Sequence, residues 1–286
     1  MKKILFTTAY GKHSKNVWKY TLQLAKYFQA SITLLHVYNQ DTLAEIIDEE
    51  RYLDFDYADY TPELSEDQYL EELQDAKVFA EENTSKSFKG IPLNFHISKG
   101  FIANTILETQ VSKGFDLVVM GTAQERFTDR LFGSVALKVL NDATCPVLLI
   151  PPNSTFWGIK KIIYTTNFEP HDRKAIDYLM EWSKAFGSTV HLLHVYPNAL
   201  AGKLAIEKMN ALMKSFERTE EWDYLTFQLL PGDKAKVIEE YRAFTGSDMI
   251  ALFPQKRRFF SKIFDASLTK QLAKETLIPL LVLKNK

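Results

Sequence analysis

The residues with the clearest chemical potential flank one loop, which runs from Gly121-Thr122-Ala123 to Gly133-Ser134-Val135. The first group follows a short apolar run typical of a buried strand, and the second opens a segment with helical periodicity. Glycine beside a hydroxyl residue at a helix start lets backbone N–H groups approach a phosphate, and the helix dipole favours the anion. The pattern therefore indicates a phosphate site. A tight helix start with its own cap explains the same residues without a ligand.

Other chemically capable side chains have structural explanations. His36 and His194 each lie in an apolar, strand-like run, where a histidine is expected to be a core group bonded to the backbone. Cys145, the single cysteine, precedes a proline at the start of another apolar run and is not a credible nucleophile. No set of His, Cys and Asp residues in the sequence has metal-ligand spacing. The sequence therefore supports neither a metal site nor catalysis.

A basic cluster occupies a loop near the end of the chain, at Lys256, Arg257, Arg258 and Lys262, with phenylalanines interleaved. The simplest interpretation is a solvated loop edge with aromatic anchors. One alternative is a site for a phosphate or a nucleic acid, held by charge and stacking. Another is a partner for an acidic segment of the same chain.

These candidates are positioned by a segment that occurs twice. Residues 2–38 and 160–196 match without a gap, and each copy is predicted to form a strand, a loop, a helix and a second strand. Ser14 and Asp172 stand at matched positions and are expected to be helix N-caps. The second strands, at 32–37 and 190–195, are apolar throughout, which is typical of strands covered on both faces of a parallel sheet.

The match resumes at a different offset and adds three strands to each half. Residues 93–97 correspond to 225–229, residues 117–120 correspond to 249–252, and the halves close with apolar runs at 146–150 and 279–283. This alternation of β and α predicts an α/β fold with two doubly wound parallel sheets of five strands each. With the linker at 151–154, the predicted domains are 1–152 and 158–286.

The first half carries an insertion, here named the acidic segment, at about 41–82. It holds 16 acidic residues against Arg51 and Lys77, a net charge of -14. The first interpretation is a solvated helical excursion with Tyr69 and four other aromatic residues packed back on the body. The alternative is a docking surface or a lid.

Composition sets broad limits. With 286 residues, 46% of them hydrophobic, and a net charge of -1, the chain is expected to be globular and not a nucleic-acid binder by bulk charge. It contains no apolar run of about 18 residues, and its start turns polar too soon for a signal peptide. A single cysteine excludes an intramolecular disulfide. We therefore expect a cytoplasmic protein without a membrane partner.

The order and spacing of these motifs resemble the universal stress protein family in its tandem, two-domain form. The resemblance rests on the opening strand at 4–8, the second strand at 34–37, the run 116–121, and Gly133-Ser134-Val135 leading to 145–149. It implies a fold akin to the adenine nucleotide alpha hydrolase-like domains and dimerisation through the last strands. In a tandem chain the halves would form an internal pseudo-dimer, with 146–150 beside 279–283. A further homodimer stays open.

The resemblance also identifies residues of the ATP site that are replaced in this chain. Members that bind ATP have an aspartate closing the first strand, where this chain has Ala9 and Asn167. They also have a motif of three glycines followed by Ser or Thr. Here Gly121 and Gly133-Ser134 match its two ends, Gln124 replaces the middle glycine, and the spacing from Gln124 to Gly133 is one residue shorter than in the motif. In the second half the motif starts at Phe253-Pro254. Bulk at these positions would obstruct the phosphates, and Pro254 has no N–H to donate.

Two hypotheses about function follow. The first is a stress-response and interaction protein that does not depend on ATP and has an unknown protein partner. The alternative is a regulatory switch that binds ATP or AMP in the first half only. The candidate residues of that nucleotide site are Thr8, Ala9, Val37, Gly121, Thr122, Gly133, Ser134 and Val135.

Overall fold

The computed structural model describes residues 1–10, 13–38, 65–122, 134–169, 172–217, 219–254, 268–269, 271–272 and 276–284. The first half contains β1 (Lys3–Thr8), α1 (Ser14–Phe28), β2 (Ser31–Tyr38), α2 (Glu66–Asn83), β3 (Leu93–Lys99), α3 (Ile102–Ser112), β4 (Leu117–Gly121), α4 (Ser134–Asp142) and β5 (Val147–Ile150). The second half contains β6 (Lys161–Thr165), α5 (Asp172–Phe186), β7 (Thr189–Tyr196), α6 (Ala199–Phe216), β8 (Leu225–Pro231), α7 (Lys234–Thr245), β9 (Met249–Leu252) and β10 (Leu280–Val282). The predicted α/β class and the duplication are confirmed.

All ten strands form one continuous sheet in the order β3-β2-β1-β4-β5-β10-β9-β6-β7-β8. Neighbouring strands within each half are parallel, and each half repeats the same order. The two halves meet where β5 pairs with β10 in antiparallel fashion, with Leu148 opposite Leu281. Both of these side chains are 0% exposed. The expected packing of the two halves through their last strands is therefore present.

Side-chain alternation along the strands divides the core into two layers. In β1, Ile4 and Phe6 face the layer that holds α1, α2, α5 and α6, whereas Leu5 faces the layer that holds α3, α4 and α7. All three side chains are 0% exposed, because helices cover both faces of the sheet. This explains why the strands are apolar without a polar side.

An aromatic cluster joins the halves on one face of the sheet. The rings of Phe28 on α1 and Trp182 on α5 lie 5.0 Å apart, and those of Tyr27 and Phe186 lie 4.5 Å apart. Phe156, from the connection between the halves, packs edge-on against Tyr20 on α1 at 4.9 Å. These contacts hold α1 against α5 and add aromatic packing to the strand junction.

The acidic segment is described only from Ser65 onward; its part at 41–64, which includes four of the five aromatic residues expected to pack on the body, lies outside the described residues. Helix α2 begins with a capping box between Ser65 and Gln68. It buries Ala76, Phe79 and Ala80. Tyr69 is 38% exposed, so Phe79, which is 6% exposed, anchors the helix instead.

The predicted N-cap at Ser14 is wrong. Helix α1 begins at Ser14 itself, and its cap position is His13, whose side chain makes no capping hydrogen bond. The backbone of His13 already has helical angles, with φ -78 and ψ -24, so the chain enters the helix one residue earlier than the sequence indicates. Asp172, the matched residue, is likewise the first residue of α5, so its predicted N-cap position is one residue late as well. Among the described residues, no helix has the length and apolarity that a membrane span requires.

Candidate functional site

The strand order reverses at two places in the sheet. From β1 the chain runs outward through β2 and β3 and then returns to β4 on the other side of β1, and β6 and β9 repeat this arrangement. A crevice forms where helices diverge at the carboxyl ends of such strands, which makes each reversal the expected ligand site of its half. These ends lie at Thr8 and Gly121 in the first half and at Thr165 and Leu252 in the second.

The first crevice is a cavity of ≈ 300 Å³ between the carboxyl ends of β1 and β4 and the first turns of α1, α3 and α4. Its lining includes six of the candidate residues from the sequence: Thr8, Ala9, Val37, Gly121, Thr122 and Val135. Ser134 begins α4 beside this wall. Gly133 and Gln124 lie outside the described residues. A site at this edge is therefore bounded by most of the predicted positions.

Thr8 is fixed by two neighbours. Its carbonyl accepts a hydrogen bond from Nδ1 of His36 at 2.9 Å, and its hydroxyl accepts one from the backbone N–H of Tyr10 at 2.9 Å. Tyr10 has a φ of 55, so the chain turns sharply after β1, and its ring stacks on the His36 imidazole at 4.3 Å. The prediction that His36 is a structural group bonded to the backbone is confirmed.

Helix α2 contacts the same cluster. Nε2 of His36 lies 3.3 Å from Oε2 of Glu72, and the ring of Tyr10 lies 5.5 Å from that of Phe79. Because the Thr8 carbonyl can only accept, Nδ1 of His36 is the donor there, and the Glu72 contact is favourable when Nε2 also carries a proton. The described part of the acidic segment is thus connected to the strand end that borders the first crevice.

The second crevice is a much smaller cavity of ≈ 40 Å³. Asp172, which is 2% exposed, lines it and accepts hydrogen bonds from the hydroxyls of Tyr164 and Thr166, both at 2.6 Å. The backbone N–H of Glu169 donates to the same carboxylate at 2.8 Å. An internal carboxylate is therefore held at the helix start, where a bound anion would otherwise be stabilised.

Other side chains narrow the second crevice further. Phe253 and Pro254, which follow β9, and Lys234, the first residue of α7, also line it. Nδ1 of His194 donates to the Thr166 carbonyl at 2.7 Å, which confirms the structural role predicted for this histidine. Burial lowers the pKa of His194 below its ordinary 6.5, although the Thr166 hydrogen bond raises it. His194 is therefore neutral at neutral pH.

Comparison with known proteins places this arrangement in a family. The model of the universal stress protein family matches residues 1–151 and again residues 158–284. The chain belongs to the universal stress protein family. A universal stress protein of Methanocaldococcus jannaschii is 30% identical over 150 residues, which make up 52% of this chain and 81% of that protein.

Two solved structures resemble this universal stress protein over almost its whole length. The structure of a universal stress protein from Archaeoglobus fulgidus has a TM-score of 0.72 at 19% identity, covering 99% of this chain and 98% of that one. A candidate universal stress protein from Pseudomonas aeruginosa has a TM-score of 0.66 at 14% identity, covering 99% and 93%. At these identities the likeness concerns the fold, and it extends across both halves.

Sequence reasoning missed one feature of the crevices in this universal stress protein, the hydrogen-bond network around Asp172. A signal was present in the repeat itself, because Phe6 corresponds to Tyr164 and Ser14 to Asp172. These two changes add a hydroxyl donor and a carboxylate acceptor together in the second half. The basic cluster at 256–262 lies outside the described residues, as does the end of the degenerate loop at 266–267. Among the described residues, no group of three His, Cys, Asp or Glu side chains could hold a metal ion.

Proposed function

We propose that this universal stress protein is an interaction protein of the stress response whose action does not depend on ATP. The observation that carries the proposal is the difference between the crevices: the second is ≈ 40 Å³ and contains its own carboxylate. A nucleotide there would have to displace Phe253 and compete with the negative charge of Asp172. Lys234 lines the same crevice and offsets part of the repulsion, so the main obstacles to a nucleotide are the bulk of Phe253 and the donors already bonded to Asp172.

The described walls of the first crevice offer few groups that would hold a triphosphate. Among the described residues that line it, none is a lysine or arginine, and His13 is the one titratable side chain. Ala9 occupies the place where ATP-binding members resemble one another in having an aspartate. Charge-assisted contacts are the strong ones in phosphate recognition, so the described walls favour ATP weakly.

Catalysis is not part of the proposal. Cys145 is 3% exposed, and its backbone N–H donates to the Gln110 side chain at 3.3 Å, which places the thiol in the packed core. The rigid ten-stranded sheet instead supports a scaffold role, in which both halves move as one body and present fixed surfaces to a protein partner.

A nucleotide switch in the first half is the second candidate function. Its supporting observation is the open volume of ≈ 300 Å³ with Gly121 and Thr122 at its edge. The path from the Thr8 carbonyl through His36 to Glu72 would give the acidic segment a way to report that the crevice is filled. Such a switch would bind ATP or AMP in the first half only.

The two candidates are separated by direct binding measurements. The purified full chain is analysed for co-purified nucleotide and then titrated with ATP and with AMP by calorimetry. We expect no nucleotide to co-purify and no saturable heat. Micromolar binding that Gly133→Trp abolishes, while the matched second-half variant Ala266→Trp retains it, would overturn the ATP-independent proposal and establish the switch.

A further inference from the structure

The duplication provides an internal reference for the first crevice. Most positions that line the second crevice have counterparts that line the first, so the differences at those positions can be assigned to single substitutions. The comparison needs no other protein, because the strands that carry the two linings have the same order in both halves. At these matched positions, differences between the crevices can be read as differences between side chains.

The first group of differences makes the side chains that line the first crevice smaller. Phe253 corresponds to Gly121, Asn167 to Ala9, and Leu268 to Val135. A Cβ atom on Gly121 would meet Cγ2 of Val17 at 3.0 Å, so the end of β4 lies close against α1 without a side chain between them. Each first-half residue is the smaller of its pair, which agrees with a cavity of ≈ 300 Å³ where the second half has ≈ 40 Å³.

The second group of differences removes charge. The carboxylate of Asp172 is replaced by the hydroxyl of Ser14, and the ammonium of Lys234 by the side chain of Ile102. Both charged groups line the second crevice, and both first-half residues line the first. The first crevice has thus exchanged an acid and a base for a small alcohol and an alkyl group.

The described lining of the first crevice consists mainly of an apolar wall, with a few polar residues beside it. The wall is formed by Val17, Leu35, Val37, Ile106 and Met120, all of them buried, together with the half-buried Ile102 and Val135. Three half-buried hydroxyl residues, Thr8, Ser14 and Thr122, and the exposed His13 also belong to the described lining. Pockets that take small organic molecules are lined mainly by apolar side chains with a few polar groups that fix orientation.

From volume, charge and lining together, we infer that the first crevice binds an uncharged, mainly apolar small molecule with one hydrogen-bonding end at the Thr8, Ser14 and Thr122 hydroxyls. An engineered apolar cavity of about 150 Å³ holds benzene, so this cavity suits a ligand about twice that size, such as two fused rings or a medium-length alkyl chain. The inference goes beyond the proposed function, which concerns ATP, and it is tested by a separate measurement.

The test titrates the full chain with N-phenyl-1-naphthylamine, an uncharged dye whose fluorescence rises in apolar surroundings. Ala9→Trp places a large ring at the edge of the first crevice, and Asn167→Trp places the same ring at the matched, already filled position. Both positions are exposed, which favours normal folding of the variants. Ile102→Lys gives the first crevice the ammonium group that Lys234 brings to the second, and it tests the apolar wall without adding a ring.

We expect saturable dye binding that weakens at least about tenfold in Ala9→Trp and in Ile102→Lys and is unchanged in Asn167→Trp. Urea midpoints close to that of the parent chain show that the variants are folded. The inference is overturned if the parent chain shows no saturable signal, or if the two Trp variants lose binding equally. It is also overturned if ATP displaces the dye at micromolar concentration, a result that would count against the proposed function as well, whereas absent dye binding alone would not.

Discussion

Replacing Asp172 by alanine tests whether the second crevice is closed by its own carboxylate. The carboxylate accepts hydrogen bonds from Tyr164 and Thr166 at 2.6 Å and from the Glu169 N–H at 2.8 Å. Tyr164 is 0% exposed and Thr166 is 6% exposed, so water has little access to the donors that alanine would leave unpaired. The substitution therefore removes three bonds and leaves two buried hydroxyls without this acceptor.

The expected cost follows from these contacts. A hydrogen bond to a charged group contributes about 1.5–3 kcal/mol, and contributions within one network do not add fully. We expect Asp172→Ala to lower the free energy of unfolding by about 3–5 kcal/mol, a large part of the about 5–15 kcal/mol that stabilises a typical domain. Asp172→Asn keeps the volume but exchanges one acceptor oxygen for an NH₂ group, and its loss is expected to be of similar size.

The measurement is equilibrium urea unfolding followed by the fluorescence of the four tryptophans, one of which, Trp182, lies in the same helix as Asp172. Ser14→Ala is the matched control, because Ser14 is the counterpart in the first half; it is expected to change stability by less than about 0.5 kcal/mol. A loss below about 1 kcal/mol for Asp172→Ala, or equal losses at the two positions, would refute the closing role of the carboxylate.

Two further predictions concern the junction and pH. Leu148→Asp places an unpaired carboxylate between β5 and β10 and should lower the free energy of unfolding by more than about 4 kcal/mol. The control Val111→Asp, at a side chain that is 61% exposed, should change the urea midpoint little. Equal midpoints for the two variants would contradict the packing of the two strands. Burial lowers the pKa of His194 below 6.5, so as the pH falls the unfolded chain binds this proton before the folded chain does. The contribution of the neutral His194 to the free energy of unfolding is therefore fully present above pH 6.5. It is lost as the pH falls through the lowered pKa of the folded state. Urea midpoints from about pH 7.5 to about 5.5 should fall less in His194→Gln than in the control His13→Gln, and equal slopes would exclude His194 as the cause.

Much of the fold could be predicted because the strands are buried on both faces. Leu5, Leu35 and Val118 are 0% exposed within continuous apolar runs, and such runs mark central parallel strands reliably. The duplication supplied the rest, since each half repeats the same strand order. The ends of elements were predicted less well: β10 covers Leu280–Val282 within the predicted run at 279–283, and α1 is entered at His13.

The candidate site could be predicted in position but not in content. Thr8 and Gly121 reach the crevice because strand ends and topology are visible in sequence patterns. The network of Tyr164 with Asp172 depends on how two side chains eight positions apart meet in the core, which periodicity does not reveal. Glu72 lies on α2, whose place between two strands is taken in the second half by α6, but the two helices differ in sequence, so the repeat gave no sign of the pair with His36.

The antiparallel register at the junction has a consequence for how mutations act on the two crevices. Leu148 and Leu281 face one another at matched positions of the repeat, so an approximate two-fold axis passes between them, as it would between two separate subunits. In a dimer of identical subunits, one mutation alters both crevices at once. In this fused chain each crevice is encoded separately. Side chains could therefore fill the second crevice and stabilise the molecule, while the first crevice stayed open to a ligand.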